Sequence, residues 1–79
     1  MKYLVIEIQK FEDGNIANIV TVKDTRAEAE STYHSILASA AISALPLHGA
    51  MLMDERAMLI MRDCYDRQVV EEDIIEEIE

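Results

Sequence analysis

Leu47-His48-Gly49-Ala50-Met51-Leu52-Met53-Asp54-Glu55-Arg56-Ala57-Met58-Leu59-Ile60-Met61 is the stretch that decides the fold. Two apolar segments flank a polar Asp54-Glu55-Arg56 break, which predicts a hairpin. In a strand, successive side chains point to opposite faces. Leu47, Gly49, Met51 and Met53 alternate with His48, Ala50 and Leu52, so this hairpin is apolar on both sides. One side can pack on a helix of the same chain. The other needs a different cover, because an apolar patch of that size is rarely left in water. The expected cover is a second copy of the chain.

Working outward, the chain has 79 residues, enough for one domain. A domain this small buries only about 60–65% of its unfolded surface, and metals, disulfides or oligomerisation usually make up the shortfall. Cys64 is the single cysteine, so an internal disulfide is excluded. Two histidines far from it make a structural zinc site a poor expectation. Oligomerisation is what remains. The apolar share is 51%, drawn mainly from Ala, Ile, Leu, Val and Met. No apolar run approaches the roughly 20 residues that span a membrane. The run Tyr3-Leu4-Val5-Ile6 is stopped by Glu7 too early for a signal-peptide core. With an unpaired cysteine, the expectation is a cytoplasmic protein.

Net charge is −9, unevenly spread. Residues 1–64 hold six Lys/Arg and nine Asp/Glu, hence 6 − 9 = −3; residues 65–79 hold one and seven, hence 1 − 7 = −6. No basic patch is present to displace counterions, so direct nucleic-acid binding is not expected.

The remaining elements follow from local pattern. Lys2 to Phe11 reads as a strand, with Leu4, Ile6 and Ile8 on one face and Tyr3, Val5, Glu7, Gln9 and Phe11 on the other. Asp13-Gly14 is a hairpin signal, because Gly accepts the positive φ of such turns. Ile16 to Lys23 returns, rich in β-branched residues, with Ile16, Val20 and Val22 on its more apolar face. Thr25-Arg26-Ala27-Glu28 fits a capping box at the start of a helix. The helix is expected to run to about Ala44 and to be ended by Pro46. Its core stripe is Ala29, Tyr33, Ile36, Leu37, Ala40 and Ala44. Ala38 and Ile42 widen the apolar arc, and Ser31, Ser35, Ser39 and Ser43 form a ridge of small residues. The second hairpin comprises Leu47 to Met53 and Ala57 to Cys64. The fold class expected is therefore α+β, in the order β-β-α-β-β, with one helix on one face of an antiparallel four-stranded sheet. The single domain covers 1–65. An acidic tail, 66–79, is expected to be disordered or a short helix, with Val70, Ile74 and Ile78 on one stripe.

Chemistry-bearing residues are few. His34 sits mid-helix among alanines, and nothing pairs His34 or His48 with Cys64 or an acid at ligand spacing. Both read as structural or surface histidines. Cys64, beside the acidic Asp63, reads as a small apolar-like residue at a strand end rather than as a nucleophile. The acids at the chain's end lack the Asp/Asn alternation and Gly of a calcium loop. No catalytic, metal or cofactor site is expected.

Met1-Lys2-Tyr3-Leu4-Val5-Ile6-Glu7-Ile8-Gln9, Ile19-Val20-Thr21, Ala29-Glu30-Ser31-Thr32-Tyr33-His34 and Cys64-Tyr65 together resemble small uncharacterised proteins of gut Firmicutes and their prophages. The resemblance covers most of residues 1–65. It implies a prophage or mobile-element setting and carries over no functional residue.

The leading expectation is a non-enzymatic, self-associating interaction protein, a homodimer or larger, such as a prophage accessory or structural component. Its interface is expected from Ala38, Ile42, Met51, Leu52, Met58, Leu59, Ile60 and Met61. Another protein is the alternative partner. An acidic inhibitor acting as a nucleic-acid mimic on a basic protein is a second reading. A small ligand-binding or enzymatic domain using Tyr3, Glu7, His34, His48 and Tyr65 is the third.

Overall fold

The computed structural model describes residues 1–68. The elements are β1 (Tyr3–Lys10), β2 (Ile16–Lys23), α1 (Arg26–Ala41), β3 (Leu47–Asp54) and β4 (Leu59–Asp66). The four strands make one sheet in the order β2-β1-β3-β4, every neighbouring pair antiparallel. This is the expected α+β architecture.

Each boundary has a local cause. Between β1 and β2, Gly14 N–H donates to Phe11 O and Phe11 N–H to Asn15 O, both at 2.9 Å, with Gly14 at φ +90°. Thr25 caps the helix by accepting from Glu28 N–H at 3.2 Å. That is the forward half of the expected box. The helix stops at Ala41, short of Ala44. Ile42 is its C-cap, and its N–H and that of Ser43 bond back to Ser39 O and Ala40 O. No basic residue lies in the helix's last turn. Arg67 supplies the cation from the far end of β4, donating to Ala40 O at 2.8 Å and Ala41 O at 3.0 Å. It satisfies carbonyls that a helix end leaves orphaned and meets the negative pole of the dipole.

The second turn is longer than the sequence pattern indicates. Asp54 Oδ1 accepts from Arg56 N–H at 2.8 Å and Met58 N–H at 3.0 Å, and Ala57 takes φ 66°. Ala57 and Met58 therefore belong to the turn, and β4 starts at Leu59. At its other end β4 runs to Asp66, past the expected domain boundary at residue 65. Arg67 N–H bonds Pro46 O, and Lys10 Nζ donates to Gln68 Oε1 at 2.6 Å. Asp66, Arg67 and Gln68 are thus part of the fold. The Val70/Ile74/Ile78 stripe lies outside the described residues.

The core lies between α1 and one face of the sheet. Val5 and Leu52 are fully buried there with Ala29, and Tyr33 and Ala50 are nearly so; Tyr3, Ile36, Leu37, Ile60 and Met61 close the periphery. The helix stripe is the expected one as far as Ala40. No helix among the described residues is long and apolar enough to cross a membrane.

Candidate functional site

Directly opposed residues in antiparallel strands project to the same face. The register therefore writes out both faces of the sheet. On the helix side, the central rows are Thr21-Val5-Leu52-Met61, Ile19-Glu7-Ala50-Asp63 and Ala17-Gln9-His48-Tyr65. On the open side they are Val22-Leu4-Met53-Leu59, Val20-Ile6-Met51-Arg62, Asn18-Ile8-Gly49-Cys64 and Ile16-Lys10-Leu47-Asp66. The open side is the more apolar of the two. Its polar residues sit on the outer strands or in the last row: Asn18, Arg62, Lys10 and Asp66. An apolar centre with a polar rim is the anatomy of a protein–protein interface.

The open side is not flat. At Gly49, strands β3 and β4 come so close that an added Cβ would lie 2.4 Å from Cys64 Cβ and 2.7 Å from Asp63 O. The missing side chain leaves a shallow depression of about 200 Å³, lined by Ile8, Leu47, Met51, Arg62 and Cys64. Arg62 is its one cationic edge. A further hollow of about 520 Å³ lies at the sheet's end, between Lys10, Phe11, Pro46 and Arg67.

The helix side holds a polar cluster that includes Glu7 and His48, two residues of the third reading, whose pairing the sequence did not show. His48 Nε2 and Glu7 Oε2 are 2.7 Å apart, and Gln9 Nε2 donates to the same oxygen at 3.0 Å. His48 is buried, and its Nδ1 has no hydrogen-bond partner among the described residues. The pairing has a simple origin. Glu7 and His48 stand in adjacent rows of the central strands β1 and β3, forty-one residues apart in sequence. The alternation of β1 placed Glu7 and Gln9 on one face, but only the β1–β3 register brings His48 to them. Neither hollow is lined by Glu7 or His48. The dyad ties the two central strands together, with His48 buried and Glu7 half-buried. His34 is exposed and stacks edge-on against the Tyr33 ring, with centroids 5.2 Å apart. Among the described residues no group of three or more His, Cys, Asp or Glu could hold a metal ion.

The shifted ionisations are structural as well. Burial raises the Tyr33 hydroxyl above its usual 10.0, with Asp63 adding to the effect. Hydrogen bonds from Gln68 hold the Asp66 carboxyl below the ordinary aspartate value. The exposed pair Lys2–Asp24 lowers the aspartate and raises the lysine, each through the hydrogen bond they share.

The expected interface residues separate into four places. Met51 and Leu59 lie on the open side of the sheet, beside residues of the first hairpin: Leu4, Ile6, Ile8, Val20 and Val22. Leu52 is completely buried under the helix, with Ile60 and Met61 packed against that core. Met58 is exposed in the turn. Ala38 and Ile42 are exposed on or just after the helix, Ile42 by 88%. The β4 irregularity at Leu52/Met53 explains why Leu59, Ile60 and Met61 do not alternate simply. The first hairpin's share of the open face was legible in the Leu4/Ile6/Ile8 and Ile16/Val20/Val22 alternations. What the sequence lacked was the side on which the helix lies.

Set against protein-family models, curated proteins and solved structures, the chain matches none.

Proposed function

We propose that this chain is a non-enzymatic interaction protein that works by self-association, with the open side of its sheet as the contact surface. The observation that carries the reading is the asymmetry of the sheet: its more apolar side is the one without the helix. Size supports a second copy as the occupant. Four strands about 4.8 Å apart and eight residues long, at about 3.4 Å each, span a face of roughly 19 by 27 Å, or ~500 Å². Two such faces in contact bury ~1,000 Å², the lower bound of a specific interface. At about 25 cal/mol per Å² the gross apolar drive is comparable to or larger than an association cost of about 4–15 kcal/mol. Two twisted sheets pack face to face about 10 Å apart, and the Gly49 hollow would receive a side chain from the opposing copy. A prophage accessory or structural component is the setting implied by the sequence resemblance.

Mass in solution tests this. Light scattering at tens of micromolar is expected to return at least twice the 9.0 kDa of one chain. Ile6→Glu, at the centre of the open face, is expected to lower that mass by removing the face contact while leaving the fold intact by circular dichroism. Ala38→Glu on the exposed helix surface is expected to leave it unchanged. A 9.0 kDa wild-type species refutes the reading.

A further inference from the structure

The two edges of the sheet are built differently. β4, one edge, carries Arg62, Asp63 and Asp66, the charges with which proteins blunt an edge against pairing. β2, the other edge, reads Ile16-Ala17-Asn18-Ile19-Val20-Thr21-Val22 before its first charge at Lys23. It contains no Pro, Gly or bulge, and its register with β1 is unbroken over eight residues. Its side chains are mostly exposed, with Ala17 and Thr21 half-buried toward the helix. Ile16, Val20 and Val22 are 62%, 51% and 56% exposed on the open side, and Ile19 is 51% exposed on the helix side. The helix core is formed with β1 and β3 and draws no residue from β2.

We propose that the β2 edge is a second self-association site, at which β2 pairs antiparallel with β2 of another copy to continue the sheet. Two-fold symmetry makes such a contact isologous and requires the antiparallel sense. The backbone is ready for it. Phe11 N–H bonds Asn15 O at the hairpin end, so hydrogen bonds of the β1–β2 ladder fall on Gln9–Ala17, Glu7–Ile19 and Val5–Thr21. The N–H and C=O groups of Ile16, Asn18, Val20 and Val22 then point away from β1, along the free edge. Charge selects the partner's direction. Lys23 at one end of β2 makes no ion pair among the described residues, and the turn at the other end holds Glu12 and Asp13. An antiparallel copy brings each Lys23 to the acidic turn of its mate. In the register that does so, Asn18 faces its own counterpart and Ile16 faces Val20. Both contributors on each row lie on the same face, so side-chain amides pair with amides and aliphatics with aliphatics.

This site is independent of the open-face contact. Edge pairing leaves the open faces of both copies on one side of an eight-stranded sheet, still available. If both contacts form, the assembly holds four copies.

Amide hydrogen exchange on the full chain, with mass measured in parallel, tests the proposal. In wild type at high concentration, the Ile16, Val20 and Val22 amides are expected to exchange at least tenfold more slowly than on dilution. Asn18→Pro removes an N–H that bonds nothing among the described residues, and an edge strand tolerates it. It is expected to abolish that protection and halve the mass while Ala17, Ile19 and Thr21 stay protected. Ile19→Lys places a charge on the edge away from the open face and is expected to do the same. Ile6→Glu is expected to leave the edge protected, which separates failure of this site from failure of the face contact. Rapid exchange of the Ile16, Val20 and Val22 amides at every concentration, or an Asn18→Pro or Ile19→Lys protein that folds with wild-type mass, overturns the proposal.

Discussion

Met51 and Leu52 are neighbours in one strand, nearly equal in size and apolar character, and they lie in different environments. Leu52 is fully buried among Val5, Ala29, Tyr33 and Ala50 under the helix. Met51 stands at the middle of the open side, between Ile6 and Arg62. The contrast extends to the two faces. The covered side holds buried His48 with half-buried Glu7 and Gln9, tied to one another by hydrogen bonds, whereas the open side is mostly aliphatic. Composition alone would send the helix to the open side. Connectivity decides otherwise. β2 and β3 are parallel to each other, with β1 between them, and α1 joins them. A strand–helix–strand crossover between parallel strands has a strongly preferred hand, which fixes the side on which the helix lands. The aliphatic face is then left without the helix as its cover.

The sharpest break in this comparison is a pair of truncations one residue apart. Leu52→Ala leaves a cavity in the helix–sheet core and is expected to cost about 2–5 kcal/mol by denaturant unfolding. Met51→Ala is expected to cost well under that in dilute protein, where the open face is in water. At high concentration the order changes: Met51→Ala should lose its concentration-dependent stabilisation, and Leu52→Ala should keep whatever remains folded associated. Equal losses at all concentrations would mean that both faces belong to one core.

Gly49→Ala examines the open side with a single methyl. The added carbon would meet Cys64 Cβ and Asp63 O well inside contact distance, so β3 and β4 must part. Overpacking of this kind costs about 1–3 kcal/mol. The same methyl intrudes on the hollow of the open face, so the variant is expected to associate less well even when folded. Unfolding midpoints at two protein concentrations separate the two effects.

Much of the fold could be read from the chain because its cues are local. Asp13-Gly14, Thr25 with Glu28, the Ala29/Tyr33/Ala40 stripe and the β-branched run of β2 each specify their own element. The helix was read three residues too long because Pro46 marks the latest possible stop, while Ile42 and Ser43 bond back earlier. Ala57 and Met58 read as strand because apolar residues rarely make turns; here the Asp54 carboxylate holds the turn together. The candidate surface was half legible. The two-faced β3 was evident, but the join of β1 to β3 is a long-range pairing with no local signal. That join creates both the continuous aliphatic face and the Glu7–His48 contact.

Tyr33 supplies the smallest and most specific contrast, because it belongs to the covered side alone. Its hydroxyl is held above the ordinary tyrosine value, chiefly by burial between α1 and the sheet and then by Asp63, with Arg62 opposing. The folded state therefore gives up this proton less readily than the unfolded chain does. Below about pH 10 both states keep it, and the group adds no pH dependence. Above that, the unfolded chain ionises first, so stability falls as pH rises through the folded value. Tyr33→Phe removes the group and keeps most of the packing. Its melting temperature is expected to fall less steeply than wild type above pH 10 and in parallel with it below. No open-side residue should imitate this: Met51→Ala and Val20→Ala are expected to keep the wild-type alkaline slope. An unchanged slope in Tyr33→Phe would place the ring in a looser, wetter setting than the helix–sheet core, and would weaken the division of the sheet into a sealed side and an available one.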